Sequence, residues 1–208
     1  MLIKHKIFYL ILYIIPIIYA SGAYDHGTSA GKNNWDISIT LNPFNLINYG
    51  QNYAILSYGY TNEIDIVNYI SKHYNGAKSF YVGGLYQFLS DDLLDLSTAI
   101  GIRKIFHSNN SFDLFFPQLL YNIKLPHKYT IGGSIINVGT LLNKKIEYKG
   151  IAIDISVFKP LPFINKKSKI INDAYFGFGI FQNTEMKLLS NDFYFHYSID
   201  LKLNFKSI

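Results

Sequence analysis

Eight ionisable side chains fall on what reads as the polar face of otherwise apolar segments: Glu63, Asp65, Asp95, Arg103, Asp154, His196, Asp200 and Lys202. Carboxylates, an imidazole and cations gathered in one place could move protons or gate a path for ions. The same groups inside a small closed sheet would pair with one another and fill it, because buried charge must be neutralised. We prefer this second reading, a lumen ionic network. Arg103 is the sole arginine of the chain, with Asp95, Asp154 and Asp200 as its expected partners.

Other chemistry would need its own residue types at its own spacing. A Ser–His hydrolase needs a nucleophile within hydrogen-bond reach of a base. There is no G-x-S-x-G, and His73, His107, His127 and His196 fall in different segments. His196 and Ser198 are two apart on one strand face, which keeps a lipid-modifying hydrolase as a minor alternative. Asp91, Asp92 and Asp95 are the best cluster for a metal, and a hairpin turn accounts for them equally well. Gly83-Gly84 and Gly132-Gly133 lack the strand-to-helix setting of a phosphate loop and read as points of close packing. No catalytic residue, cofactor or metal ion is therefore expected.

The elements that carry these residues are strands. Asp192 to Phe205 (DFYFHYSIDLKLNF) places Phe193, Phe195, Tyr197, Ile199, Leu201, Leu203 and Phe205 on one face and mostly polar residues on the other. Successive side chains of a strand point to opposite faces, so this period of two means one greasy face and one wet face. Segments 94–103 and 150–158 alternate similarly, with Gly, Ala, Ser and Asp on the second face, as the crowded interior of a narrow closed sheet would require. Turn signals such as Asn75-Gly76, Thr61-Asn62 and Asp91-Asp92 separate the segments. Strands are expected over 35–41, 52–60, 63–73, 78–89, 93–106, 112–123, 128–138, 146–158, 173–182 and 192–205. Pro117 should mark a bulge or interrupt the pairing inside the sixth, and 159–172 is the longest expected link.

Composition bounds the class. The 208 residues are 49% hydrophobic, 17% aromatic and only 16% charged, which excludes a disordered chain. Cys is absent, so disulfides, Cys-ligated metals and a Cys nucleophile are excluded. The net charge of +5 comes from scattered lysines, without the basic stripe of a nucleic-acid partner. Residues 1–23 begin with Lys4 and Lys6, continue with an apolar run from Ile7 to Ala20, and end in small residues. This is the layout of a removable signal peptide, too short to span a bilayer as a helix. Residues 24–208 are then one barrel domain, opened by a Gly/Ser/Asn-rich leader over 24–34.

Taken together, signal peptide, long alternating strands, abundant Tyr and Phe and the terminal strand resemble the bacterial outer-membrane β-barrels. The resemblance covers 35–205. It implies an all-β fold: a closed antiparallel up-and-down transmembrane barrel of about ten strands (8–12), with both termini on the periplasmic side. It also implies outer-membrane lipid as a partner. The barrel-assembly machinery would be a second, engaged through Tyr197, Ile199, Leu201, Leu203 and Phe205; the chain departs by continuing with Lys206-Ser207-Ile208. Tyr58, Tyr60, Tyr69, Tyr74, Tyr129 and Tyr148 suit interfacial aromatic girdles. The expected role is structural, binding or narrow transport. The competing reading is a periplasmic or secreted soluble β-barrel or sandwich with its apolar face inward around an apolar ligand.

Overall fold

A computed structural model describes residues 27–41, 51–73, 76–107, 110–115, 117–142, 145–162, 164, 169–181 and 196–206. The expected signal peptide lies outside the described residues. Eleven strand segments follow in order: β1 Trp35–Leu41, β2 Gln51–Gly59, β3 Ile64–His73, β4 Lys78–Ser90, β5 Leu94–His107, β6 Asn110–Phe115, β7 Gln118–Lys124, β8 Thr130–Leu142, β9 Lys145–Pro160, β10 Ile171–Phe181 and β11 His196–Phe205. Every pairing is antiparallel; apart from β5–β7 and β6–β8 each joins neighbours in sequence, until the ring closes where β1 pairs with β11, Trp35 opposite Phe205.

The ring has ten staves, because β6 and β7 share one. Both lie between β5 and β8, with Phe115 opposite Ile102 and Gln118 opposite Ala99. The register is the same on either side of Pro117, so the missing donor interrupts the ladder without shifting it. The Pro117 carbonyl is instead taken by the Asn137 amide at 2.9 Å. Real register shifts occur at Gln87/Leu89, Val138/Gly139 and Ile171/Asp173. Closure satisfies the edges that an open sheet would expose.

An even number of staves brings both ends of the ring to one mouth. Links 60–63, 91–93, 125–129 and 161–170 close that mouth, the near mouth. The expected long link is thus trimmed to 161–170, because β9 runs on to Pro160 and β10 starts at Ile171. Links 42–50 and 182–195, at the far mouth, lie outside the described residues, as does the proposed beginning of the last strand at 192–195. Gly76 turns between β3 and β4 with φ +82°, the left-handed conformation that glycine adopts without a Cβ penalty.

The alternation sets the faces. On β1, Asp36, Ser38 and Thr40 are buried inside, while Trp35, Ile39 and Leu41 are exposed outside. The same parity runs round the ring. Tyr53, Ile55, Val67, Tyr69, Tyr81, Leu85, Leu114, Leu120 and Ile136 fill the lumen along β2–β8. Ser134, Asp154, Ser156, Ser198, Asp200 and Thr40 line it along β8–β11 and β1. Glycines make the first filling possible. Gly83 and Gly101 face each other across β4 and β5 under the Tyr81 ring, and a Cβ on Gly83 would lie 2.6 Å from the Ile100 carbonyl oxygen.

Candidate functional site

The polar groups of the lumen gather at the near mouth, where the leader crosses it. Gly27 donates its amide to the Tyr121 carbonyl at 3.2 Å, and the Ser97 hydroxyl donates to the Gly27 carbonyl. Thr28 Oγ1 donates to Asp95 Oδ2 at 2.7 Å and accepts from Asn122 Nδ2 at 2.8 Å. The Ser29 amide donates to Gln87 Oε1 at 3.0 Å, and the Ala30 amide to Asp65 Oδ2 at 2.8 Å. Asn204 Nδ2 donates to the Ala30 carbonyl at 3.2 Å. The chain then turns at Gly31 (φ +80°) and Asn33 (φ +62°) and enters β1. There the Asn33 amide donates to the Gly59 carbonyl at 2.7 Å and the Gly59 amide to the Asn34 carbonyl at 3.0 Å. A side chain at Gly59 would collide with the Gly31 backbone. The leader therefore reaches staves on opposite sides of the barrel with its own amides, carbonyls and hydroxyls. This satisfies backbone groups that would otherwise be stranded in the mouth.

The charges pair locally. Asp95 accepts from Ser90 Oγ at 2.8 Å and lies 2.8 Å from Lys124 Nζ, which also donates to the Asp91 carbonyl. Lys202 Nζ lies 3.2 Å from Asp36 Oδ2, and Asn204 Nδ2 donates to Asp36 Oδ1 at 2.6 Å. A cavity of about 470 Å³ remains beside the leader, lined in part by Asn122, Lys124, Lys128, Tyr129, Tyr175 and Lys202.

Of the eight residues singled out in the sequence, Asp65, Asp95 and Lys202 meet at this mouth. Asp154 and Asp200 lie deeper, Asp154 held by a residue of the neighbouring β8 and Asp200 by hydroxyls of β1 and of its own strand. Asp154 accepts from the Ser134 amide (2.8 Å) and Oγ (2.6 Å). Asp200 accepts from Thr40 Oγ1 (2.6 Å) and Ser198 Oγ (3.0 Å). Arg103 is buried toward the far mouth, where Nε donates to Ser79 Oγ at 2.9 Å and the guanidinium sits 5.3 Å from the centre of the Tyr69 ring. The expected Arg103–Asp95 pair does not form. Eight residues of one strand separate them, about 26 Å at roughly 3.3 Å per residue. Glu63 is outside the lumen altogether. It is exposed in the 60–63 turn, where Thr61 Oγ1 donates to its carboxylate at 3.1 Å. The side chain of His196 is outside the described residues; its backbone pairs with Phe181.

The other candidates have structural places. Asp91 Oδ1 accepts the Leu93 and Leu94 amides and so closes the β4–β5 turn. Among the described residues no group of three His, Asp or Glu could hold a metal ion. Ser198 Oγ donates its hydrogen bond to the Asp200 carboxylate. Tyr69 is buried in the lumen under Arg103, not in a girdle; Tyr58 stacks on Trp35 on the outside, ring centres 4.7 Å apart. The side chains of Tyr74 and Tyr148 are outside the described residues. Sequence reasoning missed Asp36, Gln87, Asn122, Lys124 and Asn204. Asp36 had the signal, since WDISITL alternates as cleanly as any segment. The others sit at strand ends, where alternation says least.

Comparison with protein-family models, with curated proteins and with solved structures finds no match. The functional reading therefore rests on the chain's own geometry.

Proposed function

We propose that the chain is an integral outer-membrane β-barrel, exported by its N-terminal signal peptide. Its role would be structural, binding or narrow transport, with no catalysis. One observation carries this reading: the apolar faces point outward all round the ring. From β1 to β10 each stave exposes large apolar side chains, among them Ile39, Leu56, Ile66, Val82, Ile100, Leu119, Ile135, Val157 and Phe178. β11 adds the half-buried Ile199, Leu201 and Leu203. A soluble protein rarely exposes a contiguous apolar patch of more than a few hundred Å². On β4 and β5 the outward rows run from Phe80 to Phe88 and from Leu94 to Phe106. Allowing for strand tilt, this is about 20–30 Å, close to the apolar band of outer-membrane barrels.

The inner face supports the same reading. A barrel built to hold an apolar ligand would turn its greasy face inward, yet Asp36, Asp65, Asp95, Asp154 and Asp200 are all inside. Buried Tyr69 and Tyr81 fill the middle of the lumen and the leader occupies the near mouth, which favours a filled barrel over a wide pore. The terminal strand, with Ile199, Leu201, Leu203 and Phe205 outward, is the segment we assign to the barrel-assembly machinery. Cell fractionation tests the proposal: the mature protein should sediment with the outer membrane and need detergent for release. Recovery from the soluble periplasmic fraction would overturn it. In planar bilayers the purified protein should give at most small, rare conductance steps.

A further inference from the structure

The outer surface at the far mouth of β3–β5 differs from the rest of the belt. Lys72 and Lys78 are exposed on this surface and stand directly opposite each other across β3 and β4. Like charges at directly opposed positions are destabilising, since their Cβ atoms are only about 5 Å apart. Among the described residues neither has an ion-pair or hydrogen-bond partner. Lys104, opposite Phe80 on β5, lies one diagonal step from Lys78 and adds a third positive charge on the same face. Among the described residues the one carboxylate paired with them is Asp113, 3.7 Å from Lys104. These four side chains together carry an excess of two positive charges.

What lies beside the patch indicates what would neutralise it. Continuing down each strand from the lysines, the outward residues are apolar and exposed: Ile70 on β3, Phe80 and Val82 on β4, Ile102 on β5. A mostly apolar cavity of about 420 Å³ at this rim is lined by the outward Leu41, Ala54, Ile70, Lys72 and Lys78, and also by strand residues such as Tyr53 and Ser79 that are buried toward the lumen. A ligand seated there lies against hydrocarbon and beside the two lysine side chains. We propose that this is a binding site for an anionic lipid, with its headgroup phosphate bridging Lys72 and Lys78 and an acyl chain lying along Ile70 and its neighbours. A free anion would use the lysines and leave the apolar lining unoccupied. The inference rests on the membrane placement proposed above.

The full mature protein, folded in a non-ionic detergent, would be titrated with phosphatidylglycerol, with phosphatidylcholine and with inorganic phosphate. Bound lipid would be counted by native mass spectrometry. The wild type should retain one phosphatidylglycerol with about a tenfold preference over phosphatidylcholine. The double variant Lys72→Gln/Lys78→Gln should lose that preference while unfolding at the same or a higher urea concentration, since it removes a repulsion. Lys159→Gln, on the outer surface at the opposite mouth, should leave the preference intact. Equal retention of the two lipids, an unchanged preference in the double variant, or displacement of the lipid by millimolar phosphate would overturn the proposal. A protein that stays soluble without detergent would overturn the membrane placement itself. A detergent-dependent barrel without lipid preference would overturn this site alone.

Discussion

The two walls of the lumen solve the same packing problem with different materials. From β2 to β8 the inside is filled by large rings and aliphatic chains, with Tyr53, Tyr69 and Tyr81 interlocked and a single buried cation, Arg103, laid on Tyr69. From β9 through β11 to β1 it is lined mainly by small residues, Ser156, Gly177, Gly179, Ser198 and Thr40, around Asp154 and Asp200, with Phe158 as its large buried ring over Gly177. Both walls need glycine beneath their rings; the second also needs hydroxyls beside its carboxylates. Arg103 is held by Ser79 and Tyr69 of the first wall. Asp154 and Asp200 are held by the hydroxyls of Ser134, Thr40 and Ser198 in and beside the second.

The largest effect is expected where the crowded wall has no room. A Cβ at Gly101 would meet the Tyr81 ring and the Val82 carbonyl, which is backbone and cannot swing aside. Gly101→Val should therefore cost about 3 kcal/mol or more, the upper end of overpacking costs, and reduce the yield of folded barrel on a heat-modifiability gel. Folding at the wild-type level would show that the Tyr81 layer is looser than its contacts indicate.

Next come the charged residues of the two walls. Arg103→Ala removes the bond to Ser79, the contact with Tyr69 and the packing of the aliphatic stem, so a loss of about 2 kcal/mol is expected in urea unfolding from detergent. Arg103→Lys should recover little of it, because an ammonium cannot reproduce the flat guanidinium on the ring. Asp154→Ala strands the amide and hydroxyl of Ser134 and should cost about 1.5 kcal/mol. Because the two residues act in separate walls, the double variant should lose the sum of the two single losses. A clear departure from additivity would show the two residues to be joined in one network.

Strand positions, the break at Pro117 and the inward parity of Asp95, Asp154 and Asp200 were all legible in the sequence, because period-two alternation fixes the face once the element is a strand. Partners were not legible. Alternation places Arg103 and Asp95 on the same face of β5 but says nothing of the distance along it, and so the pair that charge alone suggests is the pair that geometry forbids. Glu63 was misplaced for a related reason. At a strand end the next residue can belong to the turn, and there Thr61 and Glu63 hold each other. The leader was legible only as composition. Its bonds to Asp65, Gln87 and Asp95 join residues far apart in the chain, and they arise from closure of the ring, which no local pattern encodes.

The smallest expected effect is a gain. Gln118 points into the apolar wall beside Pro117, is 3% exposed, and among the described residues neither atom of its amide has a hydrogen-bond partner. A buried polar group without a partner is a net cost, and replacing it by an apolar residue of similar shape removes the cost. Gln118→Met keeps the length of the side chain and should raise stability by about 1 kcal/mol, read as a higher urea midpoint with an unchanged slope. The same exchange where the first wall meets the second, Ser134→Ala on β8, should move the midpoint down, because Ser134 Oγ binds the Asp154 carboxylate of the second wall. Opposite signs from two inward polar residues would show that the walls differ in how they satisfy polar groups. A loss of stability at Gln118 would mean that the apolar wall needs its amide.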